Sequence, residues 1–121
     1  MNYLNHGDIS KGNVIQHKNN YYIIDFDEAL IGPRLYDYAV ICVKFFSKNG
    51  AFNHKQINKF KKIIKSNMNC DEQEFKINLK FYLCKILLEK FALHIENKID
   101  LFSLRQQQDS FDIYLKLLND L

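Results

Sequence analysis

The stretch that decides the fold is residues 6–13, with the sequence HGDISKGN, together with residues 21–27, YYIIDFD. It contains three side chains of the kinds that phosphoryl transfer needs. Asp8 is suited to orient a hydroxyl group and to accept its proton. Asn13 and Asp25 offer an amide and a carboxylate oxygen, which are ligands that magnesium prefers. These residue types predict a site that handles a phosphoryl group.

A β-hairpin is predicted between the two parts of this stretch. Residues 14–16 (VIQ) have the composition of one strand, residues 17–20 (HKNN) that of a polar turn, and residues 21–25 (YYIID) that of the returning strand. Because the two ends of a hairpin lie side by side, we expect Asp25 to lie next to Asn13. Two oxygen ligands that are distant in the sequence would then converge.

Each of these residues also has an interpretation without chemistry. Asp8 and Asn13 both follow a glycine and are of types that occupy turns. Asp25 at a strand end suits a loop or a helix cap, and a single histidine such as His6 is more often a structural hydrogen-bonding group. The hairpin between the motifs favours the functional interpretation, with His6 orienting the loop.

The same residues resemble a known family. The spacing His-x-Asp-x-x-x-x-Asn is that of the kinase catalytic loop. Residues 6–15 (HGDISKGNVI) resemble the HGDxxxxN loop of the aminoglycoside phosphotransferase and choline kinase family. Residues 23–27 (IIDFD) resemble its metal-binding segment, and residues 32–39 (GPRLYDYA) resemble the start of its next helix. The three motifs occur in the family's order and cover about residues 3–46.

The resemblance implies the C-terminal lobe of a protein-kinase-like fold, of mainly α (α+β) class. It also implies an ATP- and Mg²⁺-dependent transfer of the γ-phosphate to a hydroxyl group of a small molecule, such as an aminoglycoside or an amino alcohol. Asp8 would be the catalytic base, supported by His6. Asn13 and Asp25 would bind the magnesium ion and its nucleotide. Asp37 would be a structural acid that braces the catalytic loop.

Two further acidic residues follow the metal-binding segment. Asp27 and Glu28 extend the acidic cluster of Asp8 and Asp25, which fits a site that holds a cation. A solvated acidic loop is an equally good interpretation for Glu28. In the resembled family the acceptor lies between the catalytic loop and the C-terminal helices, so Asp27 and Glu28 are candidates for the substrate side. Lys11 stands where many family members have proline, and no role is assigned to it.

The composition is that of one folded domain, predicted over residues 1–121. Of the 121 residues, 47% are hydrophobic and 14% aromatic, which is enough to form a modest core. The net charge of +3 does not by itself require nucleic acid as a partner. No apolar stretch is long enough to cross a bilayer, and the N-terminus has no signal peptide. We therefore expect a cytoplasmic protein.

The cysteines support this expectation. Their number is odd and no CxxC spacing occurs, so neither a zinc site nor a disulfide framework is indicated. A reduced compartment is the default for such a chain. Cys42 and Cys84 lie among apolar residues and are predicted to be buried thiols.

The sequence contains no counterpart of a nucleotide-binding lobe. Only five residues precede His6, and no Gly-x-Gly-x-x-Gly occurs anywhere. We expect the missing lobe to come from the same parent protein, of which this chain is a fragment, or from another chain. The alternative is a non-catalytic, pseudokinase-like remnant that acts as a binding or interaction module. An exposed surface where the lobe should dock would favour self-association.

The rest of the chain is predicted to be helical. Residues 26–33 form a loop, and helices are expected over residues 34–47, 54–66, 71–97 and 103–119. The lysines of the second helix are interpreted as a solvated face. A nucleic-acid binder is disfavoured because no aromatic side chains are interleaved with these lysines on the same face of the helix.

The longest predicted helix is expected to be central, because it carries two apolar surfaces. One surface recurs in steps of four and three residues and is predicted to face the core. It consists of Ile77, Phe81, Cys84, Leu88, Phe91 and Ile95. The second surface adds Leu79, Tyr82, Leu83, Ile86 and Leu87.

Overall fold

A computed structural model describes residues 2–96 and 111–121 of the chain. The strands are β1 (Tyr3–Asn5), β2 (Val14–His17), β3 (Asn20–Ile23), β4 (Leu30–Gly32), β5 (Ser47–Lys48) and β6 (Ala51–Phe52). The helices are α1 (Tyr36–Phe45), α2 (His54–Asn67), α3 (Glu72–Ile95) and a C-terminal helical segment at residues 111–119. This mixture of helices and small antiparallel sheets is compatible with the predicted α+β class.

The predicted β2–β3 hairpin forms, but its turn is shorter than predicted and β3 ends at Ile23, two residues before Asp25. Its strands pair antiparallel over their whole length, and residues 18–19 make the turn. Lys18 has a positive φ of 55°, as tight hairpin turns require. Beyond the strands, the amide of Ile24 donates to the carbonyl oxygen of Asn13 at 3.0 Å. The hairpin therefore brings the residue before Asp25 alongside Asn13.

The predicted loop over residues 26–33 is wrong in its second half, where β4 pairs antiparallel with β1. Both strands have only three residues, too few to show an alternating pattern in the sequence. Asn5 at the end of β1 is buried, and its side-chain amide donates to the carbonyl oxygen of Pro33 at 3.1 Å. This strand pair fixes the point at which the stretch 6–13 begins.

The first helix is shorter than the predicted range of residues 34–47. It ends at Phe45, and residues 47–52 form a second tight hairpin, β5–β6. Asn49 and Gly50 make its turn with φ values of 52° and 80°. An Asn-Gly pair is a strong signal for a two-residue hairpin, so this element was predictable from the sequence.

The second and third helices agree with their predicted ranges to within two residues. Asn53 caps α2, since its side-chain oxygen accepts from the amide of Gln56 at 3.2 Å. Asp71 caps α3, since its carboxylate accepts from the amide of Glu74 at 2.8 Å. The predicted last helix is observed over residues 111–119, and its first part lies outside the described residues.

Of the two predicted apolar surfaces of α3, the second supplies the core residues Leu79, Tyr82 and Leu83, and the first, which was also predicted to face the core, is exposed. The residues of α3 that pack into the core with α1 are 5% exposed or less: Phe75, Leu79, Tyr82 and Leu83. The five large side chains of the surface predicted to be core are 51–68% exposed, and Cys84 is exposed as well. At 3.6 residues per turn the two sets lie on opposite sides of the helix. Because both sides are apolar, periodicity alone did not decide between them. We call the exposed set, Ile77, Phe81, Cys84, Leu88, Phe91 and Ile95, the outer stripe.

The two cysteines predicted to be buried have different outcomes. Cys42 on α1 is fully buried, and burial raises the pKa of its thiol to about 12 against a smaller lowering by Tyr38. It is therefore a protonated core residue, as predicted. The prediction for Cys84 is wrong, because this residue lies on the outer stripe.

An ion pair ties the entry of α1 to the start of α3. Arg34 donates from Nε and Nη2 to the two carboxylate oxygens of Glu74 at 2.6 and 2.7 Å, and from Nη2 to the carbonyl oxygen of Asn69 at 2.6 Å. These hydrogen bonds hold the pKa of Glu74 below its usual range. The two-point contact fixes the orientation of Arg34 relative to Glu74 as well as their distance.

No helix in the described part of the chain is long and apolar enough to span a membrane.

The two faces of α3 predict different responses to truncation. Leu83→Ala removes a side chain that is 0% exposed, and we expect it to lower the free energy of unfolding by about 2–5 kcal/mol. Leu88→Ala, at a position that is 68% exposed, should change it by less than about 1 kcal/mol in dilute solution. Urea denaturation of both variants measures the difference. Equal losses would mean that the outer stripe is part of the core.

Candidate functional site

The carboxylate of Asp37 holds the start of the stretch 6–13. Its Oδ2 accepts from the amide of His6 and its Oδ1 from the amide of Gly7, both at 2.8 Å. Asp37 lies in the first turn of α1, where the helix dipole favours a negative charge. Since α1 is largely buried, the core of the protein sets the position of this loop.

Gly7 allows the loop to pass close to the chain that leads into β4. Its φ is 87°, a conformation that residues with a side chain rarely adopt. A Cβ atom at this position would lie 2.2 Å from the carbonyl oxygen of Glu28 and 2.9 Å from Leu30 Cδ2. Both the backbone conformation and the available space therefore require glycine.

His6 is buried and joins the loop to the end of the hairpin. Its Nδ1 accepts from the amide of Asp8 at 3.3 Å, and its Nε2 lies 2.9 Å from the carbonyl oxygen of Ile24. A carbonyl oxygen only accepts, so Nε2 carries the proton and the ring is the neutral Nε2–H tautomer. The Phe26 ring packs against it, with centroids 4.5 Å apart. The geometry around His6 is that of a residue that positions its neighbours.

Asp8 and Asn13 are in direct contact. The side-chain amide nitrogen of Asn13 donates to the backbone oxygen of Asp8 at 2.9 Å and to its Oδ2 at 3.0 Å. The amide of Asn13 donates to the carbonyl oxygen of Ser10 at 3.0 Å, which closes the short 3₁₀ turn Lys11–Asn13. The turn therefore brings the carboxylate and the amide together across four intervening residues.

Asp25 follows directly on the hairpin and is exposed. Its φ is 64°, and its Oδ1 accepts from the amide of Asp27 at 3.3 Å. Asp27 and Glu28 continue this exposed turn. Among the described residues, no hydrogen bond joins Asp25 to Asp8 or Asn13. The structure thus brings the chain of Asp25 beside Asn13 and leaves its carboxylate facing solvent.

Asn13 and Asp25 carry side-chain oxygens of the kind that could hold a magnesium ion. Because Nδ2 of Asn13 donates to Asp8, its Oδ1 is the amide atom left to coordinate. Oδ1 of Asn13 and the carboxylate of Asp25 are two hard oxygen ligands. Magnesium in proteins is usually bound by one or two protein ligands and keeps several water or phosphate ligands. Within residues 2–96 and 111–121, no group of three or more His, Cys, Asp or Glu side chains is arranged to hold a metal ion.

Two contributions to the site were not predicted. The carbonyl of Ile24 and the ring of Phe26 both contact His6, and neither has a polar side chain to mark it in the sequence.

Residues 2–59 match the family model of the phosphotransferase enzyme family. The matched region contains the stretch 6–13, the β2–β3 hairpin, Asp25 and Asp37. A search of curated proteins and a search of solved structures each found no significant match. This region, just under half of the chain, is thus similar to the phosphotransferase enzyme family.

The two glycines of the stretch 6–13 form a matched pair for a test of the loop. Gly7→Ala should lower the free energy of unfolding by at least about 2 kcal/mol, because it adds both a disfavoured φ and a collision with the backbone at Glu28. Gly12→Ala, which meets nothing within 4 Å, should change it by less than about 0.5 kcal/mol. Thermal and urea denaturation provide the comparison. Equal stability of the two variants would contradict the described loop.

Proposed function

We propose that this chain carries the catalytic-loop half of an ATP- and Mg²⁺-dependent phosphotransferase, which transfers the γ-phosphate to a hydroxyl group of a small molecule. The observation that carries the proposal is the contact between Asn13 and Asp8, beside the hairpin end that leads to Asp25. The match of residues 2–59 to the phosphotransferase enzyme family supports it.

Asp8 is the base in this proposal. Its Oδ2 is held by Asn13 at 3.0 Å, which fixes the rotamer of the carboxylate. The other oxygen is the atom that we assign to accept the proton of the substrate hydroxyl. A base held in place contributes mainly by orienting the acceptor, which is what a phosphoryl transfer needs most.

Asn13 and Asp25 are the proposed magnesium ligands. The direction of the Asn13 amide follows from its two hydrogen bonds to Asp8, so its oxygen points away from that residue. The Asp25 carboxylate is oriented by the amide of Asp27. When bound, ATP would supply the phosphoryl group and magnesium would offset its negative charge.

His6 and Asp37 act as positioning residues. His6 links Asp8 to the end of the hairpin, and Asp37 links the loop to α1. Asp27 and Glu28 are exposed on the loop after Asp25, where they are available to a hydroxyl-bearing or cationic acceptor. An aminoglycoside and an amino alcohol both have this chemistry.

An exposed apolar surface next to the site supports a further part of the proposal. Leu4 of β1 lies opposite Ile31 of β4, and Ile15 of β2 lies opposite Tyr22 of β3. All four side chains are exposed, as are those of Tyr21 in the hairpin and Phe26 beyond it. Exposed apolar side chains paired in this way are typical of interaction sites. We propose that the nucleotide-binding lobe docks here, supplied by the same parent protein or by another chain.

The three free cysteines suit the reducing cytoplasm, where ATP is available.

A titration of the purified chain with magnesium and ATP, followed by amide NMR shifts, tests the metal site. We expect shifts centred on Asp8, Asn13 and Asp25 at millimolar ligand, because these residues carry the proposed ligands and base. Asp25→Asn should abolish the shifts caused by magnesium, since it removes the negative charge of the only carboxylate among the two proposed ligands.

Asp112→Asn is the matched control, since Asp112 is an exposed carboxylate on the C-terminal helical segment. It should leave the response unchanged. Equal shifts in both variants would mean that Asp25 is not a ligand. A chain that does not respond to either ligand would favour the alternative, a non-catalytic binding module.

A further inference from the structure

The outer stripe of α3 has the spacing of a coiled-coil seam. Its six residues recur at alternating steps of four and three, which corresponds to the a and d positions of a heptad repeat. Its five large side chains are 51–68% exposed. The core of this protein uses the opposite face of the same helix. The stripe therefore presents an exposed apolar seam, although Phe81 also contacts the edge of the Tyr36 ring, with centroids 6.3 Å apart.

We propose that the outer stripe is the interface for a second copy of this chain, with the two α3 helices packed antiparallel. The stripe has the order Ile-Phe-Cys-Leu-Phe-Ile, so its outer four positions are the same when it is followed from either end. In a two-fold interface residue i of one copy meets residue j of the other and the reverse, so a stripe of this order pairs like with like at its four outer positions.

The register of the pair follows from this symmetry. The two-fold axis passes near residue 86, halfway between the ends of the stripe at residues 77 and 95. Ile77 then meets Ile95 of the second copy, and Phe81 meets Phe91 of the second copy. At the centre, Cys84 meets Leu88 of the second copy. All six positions of each copy are paired with apolar partners.

The charges beside the seam favour the antiparallel over the parallel arrangement. Lys80 and Lys85 occupy flanking g and e positions, which meet each other between copies in a parallel coiled coil. A parallel pair would therefore bring lysines together twice. The antiparallel pair has one such contact, between Lys85 of the two copies, and each Lys85 has Glu89 at 3.0 Å on its own helix.

The area of the stripe is sufficient for a specific dimer. A large apolar side chain that is half to two-thirds exposed offers on the order of 100 Å². The stripe thus offers on the order of 500–600 Å² per copy, so that the pair buries about 1,000–1,200 Å², which reaches the lower limit of specific interfaces. We expect a dimer that dissociates on dilution. No residue of the outer stripe belongs to the stretch 6–13, so the proposed dimer does not depend on the proposed function.

Sedimentation equilibrium of the full chain tests the interface. The wild-type chain should dimerise reversibly, and Phe91→Glu should weaken the dimer by roughly 30-fold or more, since a charge would replace a central aromatic contact. Ile63→Lys is the matched control, because Ile63 is 62% exposed on α2, outside the stripe. It should leave the dimer unchanged. A chain that stays monomeric at high concentration, or a dimer equally weakened by both variants, would overturn the proposal.

Charge exchange tests the register. Phe81→Glu alone should weaken the dimer as Phe91→Glu does, whereas Phe81→Glu combined with Phe91→Lys should restore it. In the antiparallel pair, the introduced carboxylate of each copy meets the introduced ammonium group of the other copy, so opposite charges pair at both contacts. In a parallel pair, like charges would meet at both positions and the double variant would stay monomeric. That result, with folding confirmed by circular dichroism, would overturn the antiparallel arrangement.

Discussion

The hydrogen bonds from two consecutive amides to the carboxylate of Asp37 are the constraint on which the candidate site depends. Both are 2.8 Å long, and hydrogen bonds to a charged group contribute roughly 1.5–3 kcal/mol each. They connect the buried helix α1 to the stretch 6–13. The positions of His6, Asp8 and Asn13 follow from that anchor through contacts within the loop.

The arrangement of the local elements was largely predictable from the sequence, because short-range signals decide them. The β2–β3 hairpin, α2, α3 and the cap at Asp71 follow from turn residues, capping residues and periodicity. The pairing of β1 with β4 was not predictable in this way, since strands of three residues carry almost no pattern. The β5–β6 hairpin was missed, although Asn49 and Gly50 signal it.

The choice of the buried face of α3 depended on information that the helix itself does not contain. Leu83 and Leu88 are chemically the same residue, yet one is fully buried and the other 68% exposed. What decides between them is the partner helix α1. The same reasoning applies to the site: residue types identified Asp8, Asn13 and Asp25, whereas the contributions of Ile24 and Phe26 arise only from folding.

The measurement that tests the account most directly is amide hydrogen exchange at His6 and Gly7. In the wild-type chain both amides should be strongly protected, because each donates to Asp37. In Asp37→Asn only one side-chain oxygen remains as an acceptor, so at least one of the two amides should exchange faster, while amides of Val40 and Leu83 in the core helices keep their protection. Rapid exchange of His6 and Gly7 in the wild-type chain, or unchanged protection in the variant, would contradict the account.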